Sequence, residues 1–268
     1  MSTIDISFWR LGSGYLMLLI PLAIMLWLRV PMVGQTLLAV VRMTVQLLFV
    51  GFYLQVIFAL NSLWATGAWL LVMVIVADLS IIRGCNLRLR RLAGGVFLAL
   101  LIGVLVPLLF FVLLILDGPA ALDAQYLIPI GGMILGNCLR ADIIGIRTFY
   151  EALRKQEKAY LLRLAQGATL REALFPYLQE AWQASLAPTI ATMSTMGLVA
   201  LPGMMTGVIL GGGNPMTAIK YQIAIVIAIF VGTALTVILA IRLTVFNSFS
   251  AWGTLDRELF LSGARKRS

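Results

Sequence analysis

The chain has 268 residues, of which 61% are hydrophobic and 12% are charged, and its mean hydropathy of +1.01 excludes an ordinary soluble globular domain. The absence of histidine excludes catalysis by histidine acid–base groups and the histidine-ligated zinc sites of membrane metalloproteases. The net charge of +9 suits loops that face anionic lipid, so it does not indicate nucleic-acid binding.

Apolar runs long enough to cross a bilayer, which takes about 20 residues, recur along the chain. They cover residues 13–28, 36–60, 64–82, 93–116, 127–146, 187–210 and 219–245. No small-residue cleavage site follows the first run, so we expect it to remain as a span. We therefore predict an all-α, polytopic membrane protein with about seven transmembrane helices, in one domain over residues 1–268.

The basic residues orient these spans, because Lys and Arg collect in cytoplasmic loops. The loop after the fourth span has Asp117 and Asp123 and no base. The loop after the third span has no acid and several arginines, namely Arg83, Arg88, Arg90 and Arg91. The sequence therefore predicts an external N-terminus, a cytoplasmic C-terminus with a basic tail at 265–267, and a cytoplasmic stretch at 147–181 between the fifth and sixth spans.

The stretch 147–181 is charged and helical in pattern, unlike the apolar runs on either side. Gly167 interrupts the pattern, and Thr169 is placed to cap a new helix with Glu172 at the capping-box position. A helix, a tight turn and a short helix form a shape that fits the cleft of a cytoplasmic partner. An amphipathic hairpin that lies on lipid is the alternative.

Polar residues inside the predicted spans are the first candidates for a transport pathway. Arg42 and Gln46 lie on one face of the second span, and an arginine at the centre of a span costs about 2.5–3.5 kcal/mol. Arg42 therefore either faces protein or a wet cavity, or anchors the helix by reaching lipid phosphates. Asp78, Arg140 and Asp142 are expected to form local ion pairs near the inner interface, and Asp78 is also a possible partner for Arg42.

Two irregular segments are predicted to line the substrate route. In the fifth span, Gly131, Gly132 and Gly136 form a groove, and Met133 and Asn137 share its face. In the sixth span, the helix is interrupted by Pro202 and Gly203, with Met204 and Met205 beside them. Broken helices at membrane depth are tolerated where the backbone is buried in protein or lines a water-filled path.

Sulfur-bearing side chains in these segments are candidate metal ligands. Thioethers and thiolates suit soft or borderline transition metals, whereas packing is the ordinary use of methionine in an apolar chain. Both interpretations stay open for Met133, Cys138, Met204 and Met205.

Several strings together resemble the bacterial Fet-type iron-export ABC permease family, whose plant relatives are linked to aluminium tolerance. They are GLVALPGMMTGVIL and NPMTAIKYQI between Gly197 and Ile223, IPIGGMILGN at 128–137, LAQGAT at 164–169 and R-x-x-x-Q-L-x-x-V-G at 42–51. The resemblance implies a permease homodimer in the bacterial inner membrane, with each copy docked to a separate cytoplasmic ATPase, exporting iron or a related metal.

The same resemblance assigns roles within this chain. The LxxGAT arrangement is loosely similar to the coupling loop of ABC importer permeases, although Pro176 comes earlier than the proline of that motif. It implies that the ATPase is coupled through Leu164, Gly167, Ala168, Thr169 and Glu172. None of the lysines follows a glycine, so the chain has no phosphate-binding loop of the GxxxxGK[ST] type. ATP and Mg are therefore expected on the partner, and the chain itself is expected to bind no cofactor and to be no enzyme.

Two other classes of function remain open. One is a cation carrier or channel that needs no ATPase, which the shortage of carboxylates within the spans disfavours. The other is a scaffold that recruits a cytoplasmic protein through 147–181 and transports nothing.

Overall fold

The computed structural model describes residues 7–85, 89–116, 122–199 and 201–248. Helix α1 (Phe8–Gly14) passes through a 3-10 turn at Tyr15–Leu18 into α2 (Leu19–Trp27). The following helices are α3 (Val33–Leu60), α4 (Leu63–Gly84) and α5 (Leu89–Phe110), the last extended by a π turn at Phe111–Ile115. The remaining helices are α6 (Ala124–Lys155), α7 (Glu157–Ala165), α8 (Leu170–Thr195), α9 (Gly203–Leu210) and α10 (Pro215–Ser248).

In the part of the chain that the structure describes, six helical stretches are long and apolar enough to cross a membrane. They are Phe8–Trp27, Val33–Leu60, Leu63–Gly84, Ala93–Ile115, Ala124–Lys155 and Pro215–Val245. The predicted all-α, polytopic membrane fold is thereby confirmed. Of the residues used to orient the spans, Arg88, Asp117 and the basic tail at 265–267 lie outside the described ranges.

The predicted sixth span, 187–210, is not one continuous helix. Helix α8 ends at Thr195 and α9 begins at Gly203, so the region consists of a helix end, a non-helical link and a short helix. Hydropathy does not reveal the two residues that interrupt the helix here. Gly197 has a φ of +83°, which is not helical, and Pro202 has no backbone N–H to donate.

The stretch 147–181 also differs from its prediction. Its first part continues α6 as far as Lys155, and the helix after Gly167 is not short, because α8 runs for 26 residues. The face of α8 that contains Ala173, Tyr177 and Ala181 is buried, so this helix packs as part of the bundle. The stretch is therefore the end of two bundle helices joined by α7 rather than a separate insertion.

Close contacts between α5, α6 and α10 hold the centre of the bundle. A Cβ on Gly103 of α5 would overlap with Cγ2 of Thr236 on α10. A Cβ on Gly232 would lie 2.9 Å from Cγ2 of Ile134 on α6. Glycine at these positions lets the helix backbones approach closely, as in other membrane bundles.

The predicted glycine groove of α6 is occupied in part. A Cβ on Gly131 would lie 2.8 Å from Cδ2 of Leu70, and one on Gly132 would lie 3.1 Å from Cε of Met73. Side chains of α4 therefore pack directly against these two glycines. Nothing lies within 4 Å of the corresponding point on Gly136.

The first two spans differ from the centre of the bundle. The apolar side chains of Phe8–Trp27 and Val33–Leu60 are largely exposed, as expected for surfaces that contact lipid.

Candidate functional site

A cavity of about 290 Å³ lies between α6, α8, α9 and α10. On α6 it is lined by Met133, Asn137, Arg140, Ala141 and Ile144, which recur at the three- and four-residue spacing of one helical face. The Nδ2 atom of Asn137 donates to the carbonyl oxygen of Met133 at 2.8 Å, which fixes the orientation of this side chain. The α6 wall therefore offers sulfur, amide and guanidinium groups.

The opposite walls come from α8, the link after it and α10. On α8 the lining residues again follow one face and include Ser185, Thr189 and Thr192. On the remaining side the lining includes Met193, Met196, Pro202, Gly203, Met204, Gln222, Ile225, Val226 and Ile229. The break between α8 and α9 is thus part of the cavity wall.

The lining of this cavity is mostly apolar, with several polar groups and no described acid. Arg140 is its one charged side chain, and none of the described lining residues is a carboxylate. Gln222 is buried, and its Oε1 has no hydrogen-bond partner among the described residues. An unpaired buried acceptor costs about 1–3 kcal/mol, so the cavity is suited to a ligand or water that donates a hydrogen bond.

Five predicted pathway residues line this cavity together: Met133, Asn137, Pro202, Gly203 and Met204. They come from segments about 65 residues apart in the sequence, and their grouping follows from the packing of α10 against both α6 and α9. Their role in transport stays a prediction.

The other pathway and metal candidates lie elsewhere. Arg42 and Gln46 are exposed on α3, and Met205 is half-buried on α9 outside the lining. Cys138 is fully buried on another face of α6, where its sulfur lies 3.3 Å from the point a Cβ on Gly232 would take. Of the sulfur candidates, only Met133 and Met204 share the cavity.

The expected ion pairs of the inner interface are absent from the part of the chain that the structure describes. Asp142 is fully buried, and neither of its carboxylate oxygens accepts a hydrogen bond of ordinary geometry there, although the hydroxyl of Thr236 on α10 lies close to it. Arg140 cannot form an ion pair with Asp142, because residues two apart point to different sides of a helix. Arg42 and Asp78 are likewise not paired with each other, and Oδ1 of Asp78 is a buried acceptor without a described partner.

Sequence reasoning misses several residues of the cavity. It places Arg140 at the interface, and it gives no reason to single out Gln222. The hydroxyls of Ser185, Thr189 and Thr192 recur at helical spacing, and this pattern could have predicted that they share one polar face of α8.

The predicted coupling residues form a sharp turn between α7 and α8. Gly167 has a φ of +92°, a conformation that favours glycine, and its N–H donates to the carbonyl oxygen of Leu164 at 3.0 Å. The N–H of Glu172 donates to Oγ1 of Thr169 at 3.3 Å, and the N–H of Thr169 donates to Oε2 of Glu172 at 2.8 Å. The predicted capping box is thereby confirmed.

This turn is fixed to the bundle on both sides. Leu164 packs against the core, and the rings of Tyr160 on α7 and Tyr177 on α8 meet edge to face with centroids 6.5 Å apart. Burial, with a smaller contribution from Tyr177, raises the pKa of Tyr160 to about 12. The hydrogen bonds from Thr169 lower the pKa of Glu172, which keeps the capping carboxylate ionised.

Comparison with known proteins extends over most of the chain. The family model described as "Uncharacterised protein family (UPF0014)" matches residues 8–249. The UPF0014 membrane protein slr1647 of Synechocystis is 34% identical over 90% of this chain and 91% of its own length. The Protein ALUMINUM SENSITIVE 3 of Arabidopsis thaliana is 34% identical, over 75% of this chain and 72% of its own. The Probable iron export permease protein FetB of Escherichia coli is 33% identical, over 76% and 77%. No solved structure matches the chain at a significant level.

Proposed function

The chain belongs to the UPF0014 family of membrane proteins, and from that membership we propose that it is the permease subunit of an ABC transporter. Two copies would assemble with two cytoplasmic ATPase subunits in a bacterial inner membrane, with the C-terminus on the cytoplasmic side. ATP and Mg would bind the ATPase. The proposed transport direction is outward, and the cargo is iron or a related metal, as the name of the Escherichia coli relative suggests.

The observation that carries this proposal is the path of α8. Its first residue, Leu170, follows the capped turn, and its later residues Ser185, Thr189 and Thr192 line the cavity. The distance along the helix from Leu170 to Ser185 is about 22 Å, because each residue adds about 1.5 Å. A displacement of the turn by an ATPase would therefore reach the cavity wall through one continuous helix, which has a proline at Pro176.

The non-helical link after α8 is the proposed gate. It contains Gly197 at positive φ and ends at Pro202, and both Met196 and Pro202 line the cavity. The described residues of the link lie outside the regular helices, and such a segment changes its dihedral angles more easily than the helices on either side. Movement of α8 against α9 would then widen or close the cavity at this point.

The chemistry of the lining limits how a metal could be carried. The thioethers of Met133 and Met204 are neutral ligands that suit a soft or borderline metal, whereas the amide oxygens of Asn137 and Gln222 are harder neutral ligands. Because Arg140 is positive and no described carboxylate lines the cavity, a metal with anionic ligands fits better than a bare divalent ion.

The proposal is tested by ATP hydrolysis of the complex, purified from its native membranes into lipid nanodiscs, with and without Fe(II). We expect an ATPase to copurify and its turnover to rise with Fe(II). Gly167→Val should abolish that rise, because a β-branched residue is strained at a φ of +92°. Gly12→Val, at a helical glycine with no heavy atom within 4 Å of the new Cβ, is the control and should behave as wild type.

The outcomes separate the alternatives. If an ATPase copurifies but its turnover does not change with Fe(II), the permease role would be supported and iron would be rejected as the cargo. ATPase turnover that no cargo stimulates, with no transport in vesicles, would favour a scaffold. Equal turnover in Gly167→Val and wild type would contradict coupling through this turn.

A second candidate function, an ATPase-independent cation carrier, is favoured by Asp142. A fully buried carboxyl group with both oxygens unpartnered among the described residues is typical of proton or cation relays inside membranes. Transport by the chain alone in proteoliposomes, driven by a pH gradient and lost in Asp142→Asn, would support this candidate. Transport that requires ATP and survives Asp142→Asn would reject it.

A further inference from the structure

A second cavity, of about 480 Å³, lies apart from the central one, where the C-terminal ends of α6 and α10 meet the N-terminal part of α8. Its floor is apolar and buried, with Phe149 and Ile241 each about 1% exposed. Leu174 and Leu178 of α8 form one wall. The volume and the lining suit part of an acyl chain.

Two arginines stand at the rim of this cavity. Arg171 is on α8 and Arg242 is on α10, and both side chains are exposed. Within the described residues neither forms an ion pair or a hydrogen bond, and the lining contains no acid. Phe175, which lies one helical turn after Arg171, is 52% exposed at the same rim. Two unpaired guanidinium groups above an apolar floor are complementary to an anionic amphiphile.

We propose that this cavity is a binding site for an anionic phospholipid. The phosphate would lie between Arg171 and Arg242, and an acyl chain would lie against Phe149 and Leu174. The location supports a lipid, because α6 ends here with the basic residues Arg154 and Lys155, as expected for the side of a bundle that faces the anionic leaflet. A free phosphate ion would make no use of the apolar floor.

The site joins α8, which the proposed transport cycle moves, to α10. Arg171 is adjacent to the capped turn, whereas Arg242 is on α10, which packs beside the cavity for cargo. A bound headgroup would hold the N-terminal part of α8 against α10. This regulatory consequence rests on the proposed function, whereas lipid binding itself does not.

The test is native mass spectrometry of the chain released from detergent with phosphatidylglycerol or phosphatidylcholine of identical acyl chains. We expect wild type to prefer phosphatidylglycerol, and Arg171→Gln/Arg242→Gln to bind it about thirtyfold more weakly, since each arginine contributes about 1 kcal/mol near an anionic headgroup. Lys158→Gln/Arg163→Gln removes the same charge from exposed positions on α7 and should keep the preference. Arg171→Lys/Arg242→Lys should also keep it, which separates loss of charge from loss of folding.

Three results would overturn the proposal. Equal binding of the two lipids by wild type would show that the arginines do not select a headgroup. Competition by millimolar inorganic phosphate would identify a phosphate site without a lipid. If the glutamine pair kept its lipid but lost a copurifying ATPase, the cavity would belong to a protein partner. Because the lipid readout requires no ATPase, its failure is distinct from failure of the transporter proposal.

Discussion

The contact between Gly103 of α5 and Thr236 of α10 predicts a substitution whose effect can be reversed. In Gly103→Ala the new Cβ would overlap with Cγ2 of Thr236, and it would lie 3.1 Å from the backbone nitrogen of Thr236 and 3.3 Å from the carbonyl oxygen of Gly232. Overpacking of this kind costs about 1–3 kcal/mol. We therefore expect the free energy of unfolding to fall by that amount, measured by titration with a denaturing detergent.

Thr236→Ser removes the overlapping methyl group and keeps the hydroxyl, which donates to the carbonyl oxygen of Thr233 at 3.2 Å. Alone it should cost about 0.8 kcal/mol for the lost methyl. Combined with Gly103→Ala it should recover at least about 1 kcal/mol, as a double-mutant cycle measures. Recovery stays incomplete, because the two backbone contacts remain.

The control for this cycle is Gly94→Ala on the same helix. Gly94 is exposed, and nothing lies within 4 Å of the point that a Cβ there would take, so alanine should be neutral or stabilising by up to about 1 kcal/mol through helix propensity. If Gly103→Ala were as well tolerated as Gly94→Ala, or if serine at 236 rescued nothing, the close approach of α5 and α10 would be refuted.

Four further predictions concern the capped turn and the two buried sites. Thr169→Ala should speed amide hydrogen exchange at the start of α8 and Thr169→Ser should not; equal exchange in both would contradict the cap. Because the pKa of Glu172 is lowered from its ordinary 4.5, the bond from the N–H of Thr169 to the Glu172 carboxylate should be fully formed above pH 4.5 and lost as the pH falls below it, and protection of this N–H that persists in acid would disprove this. Met204→Leu should reduce metal-stimulated turnover while Met43→Leu, at an exposed position on α3, should not; the same loss in both would exclude a thioether ligand. Asp142→Asn should raise the thermal stability of the chain, because it removes a buried carboxyl group without a described partner, and a large loss would reveal an unrecognised ligand.

The features that are predictable from the sequence are those set by neighbouring residues. Thr169 and Glu172 are three positions apart, so their capping box is visible in the sequence, and so is the turn at Gly167. Long apolar runs similarly predict the membrane spans. Met133 and Asn137 line the same cavity because they are one helical turn apart, whereas their role in transport stays a prediction.

The features that escape prediction depend on packing between distant segments. Asp142 and Arg140 look like interfacial charges, but one is fully buried and the other lines the cavity, and only the positions of α8 and α10 decide this. Hydropathy averaged over 187–210 also conceals the link between α8 and α9, since a mean value does not register the φ of Gly197. No pattern in the sequence around Gln222 predicts that this residue lines the cavity.

The continuity of α8 has a consequence for how such a chain can vary. Inserting or deleting a single residue between Leu174 and Ser185 would rotate one end of the helix by about 100° relative to the other and shift it by about 1.5 Å. The apolar face at Leu174 and the hydroxyl face at Ser185 would then no longer point to their present neighbours. Among related chains, this segment should therefore tolerate exchanges on its exposed side while keeping a constant length.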